Sequence, residues 1–183
     1  AASGVGTAAV QLCSAFGNPC IGTASGRKLP KVEALGADLL IDRHEEGFLE
    51  VIREEIGKNG VDVILDPVGG SYLSDNVDVL AKQGRLVVIG LLGGASAELQ
   101  ISKLLMKRLR VIGSVLRCRS DDEKAKITEE VRSNVWPLFE EGRVVPVIDH
   151  TLPIEEAEDA HDLLRTNDTI GKVVLSVPES GRS

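Results

Sequence analysis

Aromatic side chains are scarce in this sequence: three Phe, one Tyr and one Trp, 3% of 183 residues. A core without them must be aliphatic, the kind formed by sheets sandwiched between helices. Tyr72 and Trp136 stand alone in the sequence, so there is no ladder of rings on which single-stranded bases could stack. Cysteine is also rare. Cys13, Cys20 and Cys118 form no C-x-x-C pair, which argues against a zinc site or a disulfide framework. They read as reduced, partly buried thiols of a cytoplasmic protein. Basic residues are outnumbered, 21 Lys and Arg against 28 Asp and Glu, for a formal net charge of −7. That balance disfavours nucleic acid and anionic membrane surfaces as partners. No run approaches the ~18 apolar residues of a membrane-crossing helix. Methionine occurs once, at Met106, and residue 1 is Ala, so we expect the sequence to be an excerpt or a truncation of a longer chain.

Glycine, by contrast, is plentiful, with 19 residues. In Ala1-Ala2-Ser3-Gly4-Val5-Gly6-Thr7-Ala8-Ala9, the residues Gly4, Gly6 and Ala9 fit G-x-G-x-x-[G/A]. This is the turn from a strand into a helix that carries a dinucleotide pyrophosphate. Gly4 permits the tight turn, Gly6 lets the backbone approach the diphosphate, and Ala9 lets the helix pack closely. The helix N-terminus adds free N–H groups and a partial positive charge. Glycine-rich turns that bind nothing are common, so the downstream context has to agree.

Apolar periodicity predicts a helix over about 6–16, stopped by Gly17-Asn18-Pro19, then a short strand over 20–24. A helix to Leu35, a strand at 39–41 and an amphipathic helix marked by Phe48, Leu49, Ile52 and Ile56 follow. Strands are expected at 61–66, 85–90 and 110–115, with helices to Leu80 and near 103–108 between them. Ile127, Val131, Val135 and Leu138 line a long helix interrupted late by Pro137. This alternation specifies a doubly wound parallel α/β sheet of Rossmann type. Beyond Gly142 the pattern changes: a strand over 144–149 containing Pro146, a helix with Ile154, Ala157, Ala160, His161 and Leu164 on one face, and a closing strand over 171–175. We therefore divide the chain into 1–142 and 143–183.

In such sheets ligands lie at the carboxyl ends of the strands. Those ends are Ala24-Ser25, Ile41-Asp42-Arg43, Val68-Gly69, Gly90-Leu91-Leu92 and Ser114-Val115-Leu116. About twenty residues after the glycine turn an NAD site carries Asp or Glu for the ribose 2′-hydroxyl. Here the run is Ala24-Ser25-Gly26-Arg27-Lys28. Without the carboxylate a 2′-phosphate is not repelled, and Arg27 and Lys28 attract it; the competing reading makes them solvated first-turn residues. Asp66 either contacts a ribose or caps the turn that follows.

Taken in order, Ala2-Ser3-Gly4-Val5-Gly6-Thr7-Ala8-Ala9-Val10-Gln11-Leu12, Leu35-Gly36-Ala37-Asp38, Gly60–Asp66, Gly84-Arg85-Leu86-Val87, Gly113–Arg117, Pro146–Asp149, Ala160-His161 and Ile170–Leu175 resemble the zinc-independent quinone oxidoreductases. These are the zeta-crystallin-like branch of the medium-chain dehydrogenases/reductases. Gly69-Gly70-Ser71-Tyr72 and Leu116-Arg117-Cys118-Arg119 look closest to the p53-inducible subgroup. The resemblance implies NADPH as cofactor, a quinone or related α,β-unsaturated carbonyl as substrate, and hydride transfer without a metal. It implies that Ser3, Gly4, Val5 and Gly6 follow the pyrophosphate and that Ser25 and Lys28 meet the 2′-phosphate. Arg43 stands where the family usually has Tyr. Val68, Gly90, Leu91 and Leu92, with Ser114, Val115 and Leu116, would flank the nicotinamide ribose and ring, and Asn167 would approach the ring from the tail. The tail would fold back onto a GroES-like catalytic domain. No catalytic residue is assigned, because the substrate would bind against that domain. A catalytically silent NADPH-binding or crystallin-like protein and an enoyl-thioester reductase are the alternatives.

In this fold the strand before the glycine turn is central. Losing ~5 residues that each bury ~1.5–3 kcal/mol of apolar side chain is large against a domain stability of ~5–15 kcal/mol. We therefore expect the 183-residue chain alone to be inactive and not to fold natively as a monomer; a sharp two-state urea transition would refute this. The strand over 110–115 is a late edge that could pair with a second copy, giving a homodimer. Of the three His, His161 reads as a hydrogen-bonded core residue. Lys103, Lys107, Arg108 and Arg110, interleaved with Leu104, Leu105 and Leu109, read as a solvated helix face.

Overall fold

A computed structural model describes residues 1–45 and 47–178; the last five residues of the tail segment proposed above lie outside them. The chain forms two compact units, one of Ala1–His44 with Thr128 onward, the other Glu45–Ile127.

In the first unit α1 (Gly4–Ala15) leads to β1 (Ile21–Ala24), a short 3-10 turn (Gly26–Lys28), α2 (Leu29–Glu33) and β2 (Leu39–Asp42). β1 and β2 pair in parallel, Ile21 opposite Leu39 and Ala24 opposite Asp42. Ala2, Val10, Cys20, Ala24, Val32 and Ile170 form the buried core of this unit, aliphatic as the composition requires. Ile170 brings the tail into it, and a parallel bridge joins Ser3 to Gly171.

The second unit holds α3 (Phe48–Glu55), β3 (Val61–Asp66), α4 (Leu73–Val79), β4 (Leu80–Val88), α5 (Ile101–Lys107) and β5 (Arg110–Gly113). Its sheet is parallel throughout in the order β3-β4-β5. β4 starts five residues before the expected strand. It loops out where Gln83 takes a left-handed φ of 69°, so Val61 faces Leu80 but Val63 already faces Arg85. α6 (Asp121–Asn134) passes from this unit into the first, where α7 (Trp136–Glu140), β6 (Ile148–Pro153), α8 (Ala157–Arg165) and β7 (Lys172–Ser176) complete the tail. β6 and β7 are parallel.

Three expectations for the tail change. The long helix breaks at Val135, ahead of Pro137, which then sits in the first turn of α7, where its missing N–H costs nothing. β6 starts at Ile148 rather than Val144, because residues 144–147 are engaged otherwise. Val145 exchanges hydrogen bonds with the buried Gln11 side chain (Nε2 to O 3.0 Å, N to Oε1 2.9 Å), Pro146 has no N–H to give, and Val147 accepts from Lys172 N at 2.9 Å. His161 is exposed, not a core residue: the covered stripe of α8 runs Ala157, Ala160, Leu163, keeping both alanines of the expected face and putting Leu163 where His161 and Leu164 were expected. Nor do the two lone rings stand alone in space. Tyr72 packs on Phe48 with ring centroids 5.1 Å apart, and Trp136 on Phe139 at 6.0 Å.

Candidate functional site

The start of α1 has the geometry of an anion cradle. Ser3 is the N-cap, its Oγ accepting from Gly6 N at 3.1 Å, and its carbonyl accepts from Thr7 N at 2.8 Å. Within α1 the N–H groups of Gly4 and Val5 have no acceptor, as the first turn of any helix leaves them; Gly4 also stands next to the parallel bridge of Ser3 to Gly171. Gly6 must be glycine here: a Cβ would lie 2.3 Å from the Ala1 carbonyl oxygen. Lys172, which the sequence reading passed over, lies against Gly4, with its Cε 2.2 Å from where a Gly4 Cβ would be. Its sequence signal is its place in the Ile170–Leu175 segment that carries the resemblance, directly after Gly171, whose φ is +85°.

The carboxyl ends of β1 and β2 carry the expected cations. Ser25 caps the 3-10 turn, its carbonyl accepting from Lys28 N at 2.8 Å. Lys28 is buried, 9% exposed. Its Nζ donates to the Asn167 carbonyl at 2.5 Å and the Thr169 carbonyl at 2.9 Å. Burial, and then the like charges of Arg27 and Arg43, hold its ammonium below the ordinary lysine range. Arg27 pairs with Asp168, and Arg43 donates from Nε to His44 Nε2 at 3.2 Å. Asn167 is thus brought to Lys28, in a left-handed backbone conformation (φ 56°). The Asp42 carboxylate accepts from His44 N at 2.9 Å and packs against Gly26, its Oδ2 2.3 Å from a Cβ position there. The absence of an acid in the Ser25–Lys28 run is therefore local to sequence; in space the turn has two carboxylates beside it.

The second unit carries the remaining candidates on the ends of β3, β4 and β5. Asp66, 2% exposed, caps the turn after β3. Oδ1 accepts from Val68 N at 2.7 Å and Gly69 N at 3.1 Å, and Oδ2 from Gly69 N at 3.1 Å and Asn76 Nδ2 at 3.0 Å. Of its two sequence readings, the turn cap is what forms. Gly69 takes a φ of +78°, open to glycine and strained for other residues. The loop is zipped to the one after β4 by Gly93 N to Val68 O at 2.7 Å, Gly70 N to Gly94 O at 2.9 Å and Ser71 N to Gly93 O at 3.1 Å. Ser114 N donates to Val88 O at 3.0 Å. Leu91, Leu92, Val115 and Leu116 project from these ends as exposed apolar side chains, Leu92 by 87%. Val68 and Gly90, at the same strand ends, are half-buried.

The basic cluster has structural work within the second unit. Lys107 Nζ donates to the Asp78 and Leu80 carbonyls, each at 2.8 Å, closing the end of α4, and Lys103 pairs with Asp78. Among the described residues no group of three or more His, Cys, Asp or Glu is placed to hold a metal ion, and no helix is long and apolar enough to cross a membrane.

Residues 4–132 match the family model described as zinc-binding dehydrogenase. The chain is 31% identical over 179 residues to a quinone oxidoreductase of Rattus norvegicus, covering 96% of this chain and 52% of that protein. It is 30% identical over 190 residues to the synaptic vesicle membrane protein VAT-1 homolog of Homo sapiens, covering 96% and 48%. The chain thus spans about half the length of these curated relatives. Among solved structures, a quinone oxidoreductase of Escherichia coli complexed with NADPH superposes with a TM-score of 0.80 at 28% identity, over 95% of this chain and 54% of that one. A 2-haloacrylate reductase gives 0.83 at 27%, over 98% and 56%. The parallel α/β architecture, the glycine turn at the head of α1 and these matches agree, and the chain belongs to the zinc-binding dehydrogenase family, in the quinone oxidoreductase branch of the medium-chain dehydrogenases/reductases.

Proposed function

We propose that this chain is the cofactor-binding part of an NADPH-dependent oxidoreductase that reduces quinones or related α,β-unsaturated carbonyls by hydride transfer without zinc. The observation that carries the reading lies within the first unit. The first-turn amides of Gly4 and Val5 open α1 beside Lys172, and three cations, Arg27, Lys28 and Arg43, gather at the ends of β1 and β2. Free amides at a helix N-terminus and a cluster of guanidinium and ammonium groups are what a dinucleotide diphosphate and a 2′-phosphate require. The NADPH complex of the Escherichia coli relative supports the same choice of cofactor.

The nicotinamide supplies the hydride chemistry when bound, and this chain's residues hold and orient it. Ser3, Gly4, Val5 and Gly6 hold the diphosphate; Ser25, Arg27, Lys28 and Arg43 receive the 2′-phosphate, and Asn167, expected at the nicotinamide ring, instead has its carbonyl on Lys28. In the second unit Val68, Gly90, Leu91, Leu92, Ser114, Val115 and Leu116 serve the ribose and ring, the apolar members excluding water from the ring face. Residues 1–142 form the cofactor domain, and 143–183 the returning segment of a catalytic domain that supplies the substrate pocket. Three unpaired thiols, Cys13, Cys20 and Cys118, suit a reducing cytoplasm. β5 is the outer strand of its sheet and exposed along its length, which supports a homodimer through residues 110–115. Sedimentation of a monomer at high concentration would remove that assignment.

The test is NADPH oxidation by the full-length chain with a panel of quinones and enones, beside titration of both reduced nicotinamides. Turnover with tighter NADPH than NADH binding is expected. NADPH binding with no turnover would overturn the catalytic reading, and tighter NADH binding the assignment of the cations.

A further inference from the structure

The loop after α8 lies on the cations assigned above to the cofactor's 2′-phosphate. Its Asp168 carboxylate pairs with Arg27, and the carbonyls on either side, of Asn167 and Thr169, accept from the Lys28 ammonium at 2.5 and 2.9 Å. The loop is itself shaped for this. Asn167 is left-handed, Thr166 Oγ1 accepts from Asp168 N at 3.1 Å, and Asn167 N donates to Leu164 O at 3.3 Å. One carboxylate and two carbonyl oxygens thus present to Arg27 and Lys28 what a phosphate would present: anionic and neutral oxygen acceptors.

The two cations are not held equally. Lys28 is buried as a residue and the two acceptors of its ammonium are backbone atoms, so no side-chain exchange releases it from them. Arg27 and Asp168 are 59% and 54% exposed at their side chains. A pair so open to water is worth little and can be exchanged for a stronger partner. A phosphate offers the guanidinium a bidentate, doubly charged partner, but one that approaches with Asp168 still nearby meets a like charge.

We propose that Asp168 is a cofactor-specificity residue. It occupies Arg27 in the free protein and, by competing with and repelling the 2′-phosphate, sets how strongly the chain prefers phosphorylated to unphosphorylated dinucleotide. This rests on the assignment of Ser25–Lys28 as the 2′-phosphate site. Asp42, against Gly26, accepts from the His44 N–H and is the fixed acid of the pair; Asp168 is the exchangeable one.

The test uses 2′,5′-ADP and 5′-AMP as probes, which differ only in the phosphate at issue, titrated into the full-length chain at low and high salt. Asp168→Asn keeps the size of the side chain and removes the charge. It is expected to tighten 2′,5′-ADP about fivefold at low salt and to leave 5′-AMP within about twofold, with the gain shrinking at high salt. Arg27→Ala is expected to weaken 2′,5′-ADP and to abolish the gain when combined with Asp168→Asn. If Arg27→Ala weakens 2′,5′-ADP but Asp168→Asn changes nothing, the specificity role of Asp168 is overturned and the phosphate site stands. If neither variant moves the 2′,5′-ADP affinity, the phosphate site and the role of Asp168 fall together. Equal tightening of both probes by Asp168→Asn would reduce its role to a general effect on the loop and also overturn the proposal.

Discussion

Replacing Asp66 tests how the second unit holds its strand-end loops. The carboxylate is buried and accepts four hydrogen bonds, from Val68 N, twice from Gly69 N, and from Asn76 Nδ2. Asp66→Ala strands the buried Gly69 N–H and the buried Asn76 amide, each at about 1–3 kcal/mol, and the half-buried Val68 N–H at the low end of that range. Relief of the cost of burying a carboxylate offsets part of the sum, leaving a net destabilisation of about 3–4 kcal/mol. Asp66→Asn retains one acceptor oxygen, and a rotated Asn76 amide could accept from its new NH2, so this variant should cost about half as much.

Because the loop after β3 is zipped to the loop after β4 through Gly93 N to Val68 O, both variants should loosen the two loops together. Urea unfolding of the full-length chain gives the free energies, and amide exchange at Val68, Gly69 and Gly93 gives the local effect. Asn76→Ala in the Asp66→Ala background should cost less than it does alone, with a coupling of about 1 kcal/mol. A loss below about 1 kcal/mol for Asp66→Ala, or exchange that quickens at Val68 and not at Gly93, would refute this account of how the loops are held.

Two further outcomes follow from the first unit. Gln11, buried on α1, ties that helix to Val145 of the tail, so Gln11→Leu, which leaves the Val145 N–H and C=O unpaired, should cost about 2–3 kcal/mol in urea unfolding; a cost under about 0.5 kcal/mol would remove Gln11 from that role. Burial, with Cys13 and Asp38 adding to it, raises the Cys20 thiol from 9.0 to about 12. It should resist a thiol reagent at pH 8 while the exposed Cys118 reacts. With the folded pKa above the unfolded one, the stability Cys20 contributes is complete below pH 9 and is lost as pH rises toward 12. The fall in stability from pH 9 upward should be shallower in Cys20→Ala, and identical slopes would contradict the shift.

The elements legible in the sequence were those whose partners are close in the chain. The strand at 61–66 has its residue span because an apolar run ends at Asp66-Pro67, and the same Asp supplies the turn that ends it. The α6–α7 break was visible because proline acts locally, though the helix stops at Val135. What failed needed distant partners. Residues 144–147 have the composition of a strand, but the hydrogen bonds of Val145 go to a side chain 134 residues away. His161 shares a sequence face with Leu164, yet the covered stripe of α8 follows Ala157, Ala160 and Leu163.

The site divides in the same way. The Ser3 cap, the first-turn amides of Gly4 and Val5 and the narrow space at Gly6 follow from nine consecutive residues. The charge at the end of β1 does not. A rule that looks for an acid some twenty residues after the glycines finds Arg27 and Lys28 and stops there. The fold adds Asp42 from the neighbouring strand, and the tail adds Asp168 with two carbonyls, 139 and 141 residues beyond Lys28 for the latter. The electrostatic character of the turn is thus set by three segments, and only one is near the motif. Cation content alone then says where a phosphate could bind. How strongly it is preferred depends on which of those cations the rest of the chain leaves free, and Arg27, paired at the surface with an acid from the tail, is the one whose freedom a single substitution can change.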